Sequence, residues 1–241
     1  MTFYLIGLGL EKDSITVAAL EILKTCDKIY LENYTVNFPY ELTELENSLK
    51  TSITKLNRDG VESEYTVEEA KSKDIALLVY GDALSATTHM HLIIKCKKLG
   101  IPFRIFHNTS ILTAVAETGL QIYKFGKTTS MPNWKEHINK PTSFMKIIKE
   151  NLQINAHTLI LTDIDLNFKD SISQLIESSK LEKIVLEKTI AISNAGTKNQ
   201  LILFDTLENL KEKDIKMPFC LIIPSKLHFI EEEAIESLKE K

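Results

Sequence analysis

Short apolar runs rich in β-branched and aromatic residues alternate with stretches of helical period along the chain. TFYLIG is followed by TVAALEILKT, KIYLE stands between polar stretches, IALLVYG precedes THMHLIIKCKKLG, and FRIF precedes ILTAVAET. This alternation predicts strands joined by crossover helices, the signature of an α/β layer. The helix ending KCKKLG carries Lys95, Lys97 and Lys98 in its last turn with Gly100 just beyond. Cations there offset the negative end of the helix dipole and glycine supplies a left-handed cap, so these lysines read as structural. A second alternating set follows the segment Gly119 to Pro141, which holds two prolines, the only tryptophan, Trp134, and several polar residues. It comprises FMKIIKENL, the strand TLILTD, the helix SISQLIESS, strands near KTIAIS and LILFD, the strand FCLIIP and a terminal helix FIEEEAIESLKEK. The pattern predicts two α/β domains, residues 1–118 and 119–241, without short-period repeats or low-complexity tracts.

A chain of 241 residues that is 44% hydrophobic can bury one large core or two modest ones. No apolar run reaches the roughly 18 residues of a membrane span, and the start MTFYLIGLGLEKD lacks a basic stretch and a small-residue cleavage site, so a cytoplasmic protein without membrane association is expected. The net charge of −4 comes from interleaved acids and bases, which argues against a nucleic-acid partner. Cys26, Cys96 and Cys220 are scattered singly in apolar stretches, implying neither a disulfide framework nor a zinc site.

The first candidate for chemistry is Gly7-Leu8-Gly9-Leu10, directly after a strand, where glycines let a ligand approach the backbone. A dinucleotide fingerprint would need a third glycine where this chain has Lys12. The second is Gly81 to His89, GDALSATTH, between a strand and a helix. Ligands of open α/β sheets sit at the carboxyl ends of strands, so Asp82 could accept from an amino group or a ribose hydroxyl and favour a sulfonium charge. It reads equally as a turn aspartate, with Thr87 or Thr88 as a helix N-cap. His89 and His91, two apart on an expected helix, would not share a face to hold a metal, and no HExxH, paired CxxC or GxSxG appears. The third candidate is HNTSILTAVAETGLQIYKFGK, where Ser110 can cap a helix bearing Ile111, Val115 and Leu120.

Taken together, the strings FYLIGLGL, SITVAALE, CDKIYLENYT, GDALSATTH, HNTSILTAV, TGLQIYKFGK, PTSF, HTLILTDI and IIPSKLH resemble, in order and spacing, the diphthine synthases of the tetrapyrrole methylase-like superfamily. TGLQIYKFG and GDALSATTH separate that family from its tetrapyrrole-modifying relatives, whose first glycine loop usually reads GAGPG. The resemblance implies two α/β domains with S-adenosylmethionine in the cleft between them (class III methyltransferases), S-adenosylhomocysteine as product, and a homodimer. Cofactor positions carry over to Leu10 in GLGL, Asp82 and Ser85 in GDALS, and Ser110 with Ile111 in HNTSI. Thr162 in HTLILTDI, Ser193 in AISNAG and Phe219 before LIIPSKLH match by position in their strands and would meet the ligand through backbone atoms. Ala83 stands where the family usually has proline, Ser85 where it often has valine, and the loop after GLGL is about one residue short.

The implied activity is successive N-methylation of the 3-carboxy-3-aminopropyl histidine of translation elongation factor 2, giving diphthine in diphthamide biosynthesis. The ending IIPSKLH favours a trimethylated product over a methyl ester. No catalytic side chain is assigned, because the methyl donor carries the reactivity and the protein orients the reactants. The rivals are a tetrapyrrole or ribosomal RNA methyltransferase, opposed by the absent GAGPG loop and basic stripe, and a catalytically inactive interaction protein on the same fold.

Overall fold

The computed structural model describes residues 1–238, which fall into two compact units, Met1–Leu112 and the remainder from Thr113. The first unit runs β1 (Phe3–Gly7), α1 (Val17–Leu23), β2 (Lys28–Glu32), α2 (Leu42–Leu49), β3 (Thr54–Leu56), α3 (Arg58–Glu62), α4 (Tyr65–Glu69), β4 (Ile75–Val79), α5 (Met90–Leu99) and β5 (Phe103–Phe106). A short helix, α6 (Ile111–Ala114), continues as a 3-10 stretch (Val115–Thr118) and leads into the second unit. There the order is β6 (Thr129–Met131), α7 (Ser143–Gln153), β7 (Thr158–Thr162), α8 (Phe168–Leu181), β8 (Thr189–Ser193), β9 (Leu201–Asp205), α9 (Leu207–Lys211), β10 (Phe219–Ile223) and α10 (Phe229–Ser237). Residues 239–241 of the expected terminal helix lie outside the described residues.

Sheet one is parallel throughout, in the order β3-β2-β4-β1-β5. Its inner strands β1 and β4 are apolar on both faces, and successive side chains serve different cores. Phe3 and Leu5 of β1 with Ile75, Leu77 and Val79 of β4 pack against Val61, Val67, Leu92, Ile93 and Cys96, from α3, α4 and α5. Tyr4 and Ile6 with Ala76 and Leu78 pack on the opposite face against Ala19, Leu23, Leu45 and Leu49, from α1 and α2. From β1 the chain proceeds to β2, toward one edge; from β4 it proceeds to β5, toward the other. The direction of winding therefore reverses between β4 and β1, which makes their carboxyl ends the topological switch point, where doubly wound sheets bind ligands.

The expected cap of α5 is present: Gly100 takes a left-handed φ of 67°, with Lys97 and Lys98 in the last turn. At its other end the N-cap is His89, not Thr87 or Thr88, and the Thr87 hydroxyl instead donates to the Ala83 carbonyl. The helix expected after Ser110 is interrupted: its α-helical part ends at Ala114, and the 3-10 stretch stops at Gly119 (φ 84°), before Leu120.

Sheet two is mixed, in the order β6-β7-β10-β8-β9, with β6 and β7 parallel and the remaining pairs antiparallel. One face is covered by α7, α8 and α9 through Phe144, Ile148, Ile172, Leu175 and Leu210. Cys220 is fully sealed in β10 and burial raises its thiol pKa; the same effect moves Cys96 to about 11, so both act as inert small apolar residues.

Candidate functional site

Three loops meet at the carboxyl ends of the adjacent strands β4, β1 and β5. Gly9 and Gly81 exchange backbone hydrogen bonds, Gly9 N to Gly81 O at 3.0 Å and Gly81 N to Gly9 O at 2.9 Å, so the loops after β1 and β4 are pinned to one another. Gly9 has φ 77°, and a Cβ there would come within 2.7 Å of the Ser14 Cβ. Both conditions require glycine. Gly9→Ala is expected to cost at least about 1–2 kcal/mol from the left-handed backbone alone, read as a lower urea midpoint, together with weakened binding of S-adenosylhomocysteine. Unchanged values of both would show that this turn can open without consequence.

The third loop is joined by Asn108. Its side-chain amide donates to the Gly7 carbonyl (3.1 Å) and to the Ser14 carbonyl (3.0 Å). Sequence reasoning did not single out Asn108, although its place in HNTS directly after β5 was the available signal. Tyr80 was missed as well; its hydroxyl donates to the Leu10 carbonyl at 3.1 Å and fixes the end of the first loop.

Asp82 is the hub of this cluster. Its Oδ1 accepts from Leu84 N (3.0 Å) and Ser85 Oγ (3.1 Å), and its Oδ2 from His107 Nδ1 (2.8 Å) and Asn108 N (3.0 Å). Burial alone would raise the Asp82 carboxyl pKa; the bonds from the Leu84 and Asn108 amides, His107 and Ser85 outweigh it and hold the group below the usual carboxylate range. The site therefore carries a fixed negative charge at the switch point. Leu10, in the loop after β1, and Ser110, in the loop after β5, are buried, and Ile111, half-buried, opens α6. Leu10, Asp82, Ser85, Ser110 and Ile111 thus occupy the three convergent loops of the first unit.

In the second unit, Thr162, Phe219 and Ser193 form one row across β7, β10 and β8. Phe219 pairs with Ser193, and the Thr162 hydroxyl donates to the Phe219 carbonyl at 3.3 Å. The Ser193 hydroxyl donates to the Lys216 carbonyl at 2.6 Å, and the Phe219 ring packs edge-on against Phe168, with centroids 5.2 Å apart. These side chains are occupied within their own unit, so what the row can offer a ligand is backbone.

S-adenosylmethionine carries a sulfonium, an amino acid group, a ribose and an adenine. An ionised, buried carboxylate among glycine turns, hydroxyls and apolar side chains suits that mixture of positive, polar and flat apolar parts, so the residues present fit the group.

Residues 2–211 match the family described as Tetrapyrrole (Corrin/Porphyrin) Methylases. The chain is 38% identical to the diphthine synthase of Methanococcus maripaludis strain C6 over 97% of both chains. It is 34% identical to the diphthine methyl ester synthase of Bos taurus, covering 96% of this chain and 93% of that one. A crystal structure of diphthine synthase superposes with a TM-score of 0.90 at 32% identity, covering 99% of this chain and 96% of the other. With the family match spanning most of the chain and relatives above 30% identity over nearly its full length, the chain belongs to the tetrapyrrole methylase family and, within it, to the diphthine synthases, S-adenosylmethionine-dependent methyltransferases of diphthamide biosynthesis.

Proposed function

We propose that this protein transfers methyl groups in succession to the amino nitrogen of the 3-carboxy-3-aminopropyl histidine of translation elongation factor 2, ending at the trimethylammonium of diphthine. The observation that carries the reading is the convergence of the Gly9, Asp82 and Asn108 loops on an ionised carboxylate at the switch point, in a chain of this family. When bound, S-adenosylmethionine supplies an electrophilic methyl group. The protein's part is to hold donor and acceptor in line and keep water away. Leu10, Asp82, Ser85, Ser110 and Ile111, with Thr162, Ser193 and Phe219, are the residues that would hold the cofactor.

The same reading makes the protein a cytoplasmic homodimer of two α/β domains, with the elongation factor as its macromolecular partner and nucleic acid as none. A tetrapyrrole or ribosomal RNA methyltransferase is disfavoured by GLGL in place of GAGPG and by the interleaved charge of −4. The test is calorimetric titration with S-adenosylhomocysteine, followed by incubation with labelled methyl donor and elongation factor 2 carrying the unmethylated side chain. Binding plus label on the factor is expected, with a trimethylated product by mass analysis. A methyl ester would overturn the trimethyl end point. No binding at millimolar ligand would overturn the enzyme reading and leave the inactive interaction protein.

A further inference from the structure

The methyl acceptor is an amine, protonated at neutral pH, and an ammonium has no lone pair with which to attack. Each transfer therefore needs a group to remove one proton, and the position of His107 meets that need. His107 follows β5 immediately, and its Nδ1 lies 2.8 Å from Asp82 Oδ2. The imidazole is 67% exposed while the carboxylate that holds it is 9% exposed. Asp82 is ionised and can only accept, so in the neutral ring the hydrogen lies on Nδ1 and Nε2 presents its lone pair outward.

A structural role alone leaves this arrangement unexplained. Asp82 already receives the Leu84 amide and the Ser85 hydroxyl, which fold its own loop, and the Asn108 amide, which ties that loop to the next. The fourth bond goes to a ring standing mostly in solvent, where an ion pair adds little stability. A carboxylate that fixes one imidazole nitrogen and leaves the other outward is the arrangement by which histidine is aimed as a general base.

We propose that His107 is the proton acceptor for the substrate amine, aimed by Asp82 as its positioning residue. The inference rests on the proposed function above and names a group for the same site. The ammonium N–H bond breaks and the proton moves to Nε2. The freed nitrogen lone pair then forms the N–C bond to the methyl group as the C–S bond breaks, its electrons staying on sulfur. Nε2 returns its proton to solvent before the next transfer. Asp82, from the loop after β4, is the titratable group facing the ring, and Arg104 on β5 is turned instead onto Phe106, 4.8 Å from that ring's centroid.

Two measurements decide it, both on the full chain. In the free protein, nitrogen NMR of the neutral His107 ring is expected to show a hydrogen on Nδ1 and a bare Nε2, with that preference lost in Asp82→Asn. A wild-type ring with the hydrogen on Nε2 would overturn the proposal without reference to activity. With methyl donor and unmethylated elongation factor 2, His107→Asn is expected to bind S-adenosylhomocysteine within twofold of wild type yet transfer methyl about 100-fold more slowly at neutral pH. The deficit should shrink as pH rises and the amine loses its proton to bulk base. Equal rates and equal pH profiles would overturn this inference alone; a wild type that leaves the factor unlabelled would overturn the proposed function and this inference with it.

Discussion

Replacing Glu231 by alanine is expected to destabilise the protein by about 3–5 kcal/mol, the range for breaking a buried charge pair by removing one partner. Glu231 and His157 are both fully buried. One Glu231 oxygen accepts from Gln121 N (2.9 Å) and His157 Nε2 (3.1 Å), and the other from His228 N (2.7 Å) and the Lys124 ammonium. His157 completes the cluster by accepting from Ser225 N at 2.9 Å through Nδ1. One carboxylate thus joins the chain after Leu120, the start of β7, the loop after β10 and the first turn of α10. Truncation leaves the Lys124 ammonium with the Lys226 carbonyl as its other bond and strands two backbone amides. Urea unfolding of Glu231→Ala gives the cost directly, and a change below about 0.5 kcal/mol, typical of inert surface positions, would show that the cluster holds nothing. The double variant Glu231→Leu with Lys124→Leu should recover much of the loss, because the penalty lies in the unpaired charge and not in the absence of an ion pair.

The same cluster sets the acid sensitivity. Burial alone would raise the Glu231 carboxyl, but bonds from Lys124, the Gln121 and His228 amides and His157 lower it from 4.5 to about 2. A carboxyl depressed on folding binds protons more readily in the unfolded state. Its contribution, roughly 3 kcal/mol at one pKa unit per 1.36 kcal/mol, is present above pH 4.5 and is lost as pH falls from there toward 2. His157 is depressed too, first by burial, so the unfolded state also takes up its proton preferentially below the ordinary histidine value of 6.5. Both effects run in one direction: stability falls as pH drops below 6.5 and falls further below 4.5. Glu231→Ala should flatten the lower part of that curve.

Much of the architecture was legible in the pattern. Continuous apolar runs such as IALLV and FYLIG mark strands covered on both faces, and the Lys97, Lys98 and Gly100 signal fixed the end of α5. What failed was local and had tertiary causes. The Thr87 hydroxyl is drawn to the Ala83 carbonyl and is lost as a cap, and the helix after Ser110 stops at Gly119, where a Cβ would meet that of Ala234 at 2.4 Å, a contact 115 positions away in the chain. The glycine loops and GDALS were visible as candidates, but the hydrogen bonds that join them were not: Asn108 reaches carbonyls about a hundred positions away. Several strings by which the family was recognised meet in structure and not in chemistry. Lys124 lies in TGLQIYKFGK, His157 in HTLILTDI, and Ser225 and His228 in IIPSKLH, all within the Glu231 cluster.

Asp82→Ala is expected to lower S-adenosylhomocysteine affinity at least tenfold and to cost roughly 1–3 kcal/mol of stability, because it leaves partly buried amides of two loops without an acceptor. The comparison with Asp82→Asn separates two ways in which the carboxylate can serve a cofactor. The carboxylate accepts four bonds from protein donors, which predicts that it acts by holding the Leu84 and Asn108 loops in place. Asparagine offers one oxygen where there were two and turns an amide toward donors, so affinity and stability should fall together, each about midway to the alanine variant. If Asp82 instead faced the sulfonium directly, asparagine would weaken binding of the charged donor while sparing S-adenosylhomocysteine, which lacks that charge, and stability would hold. Parallel titrations of both ligands with a urea curve for each variant decide between the two, and selective loss of the charged ligand is the result that would refute positioning through the loops.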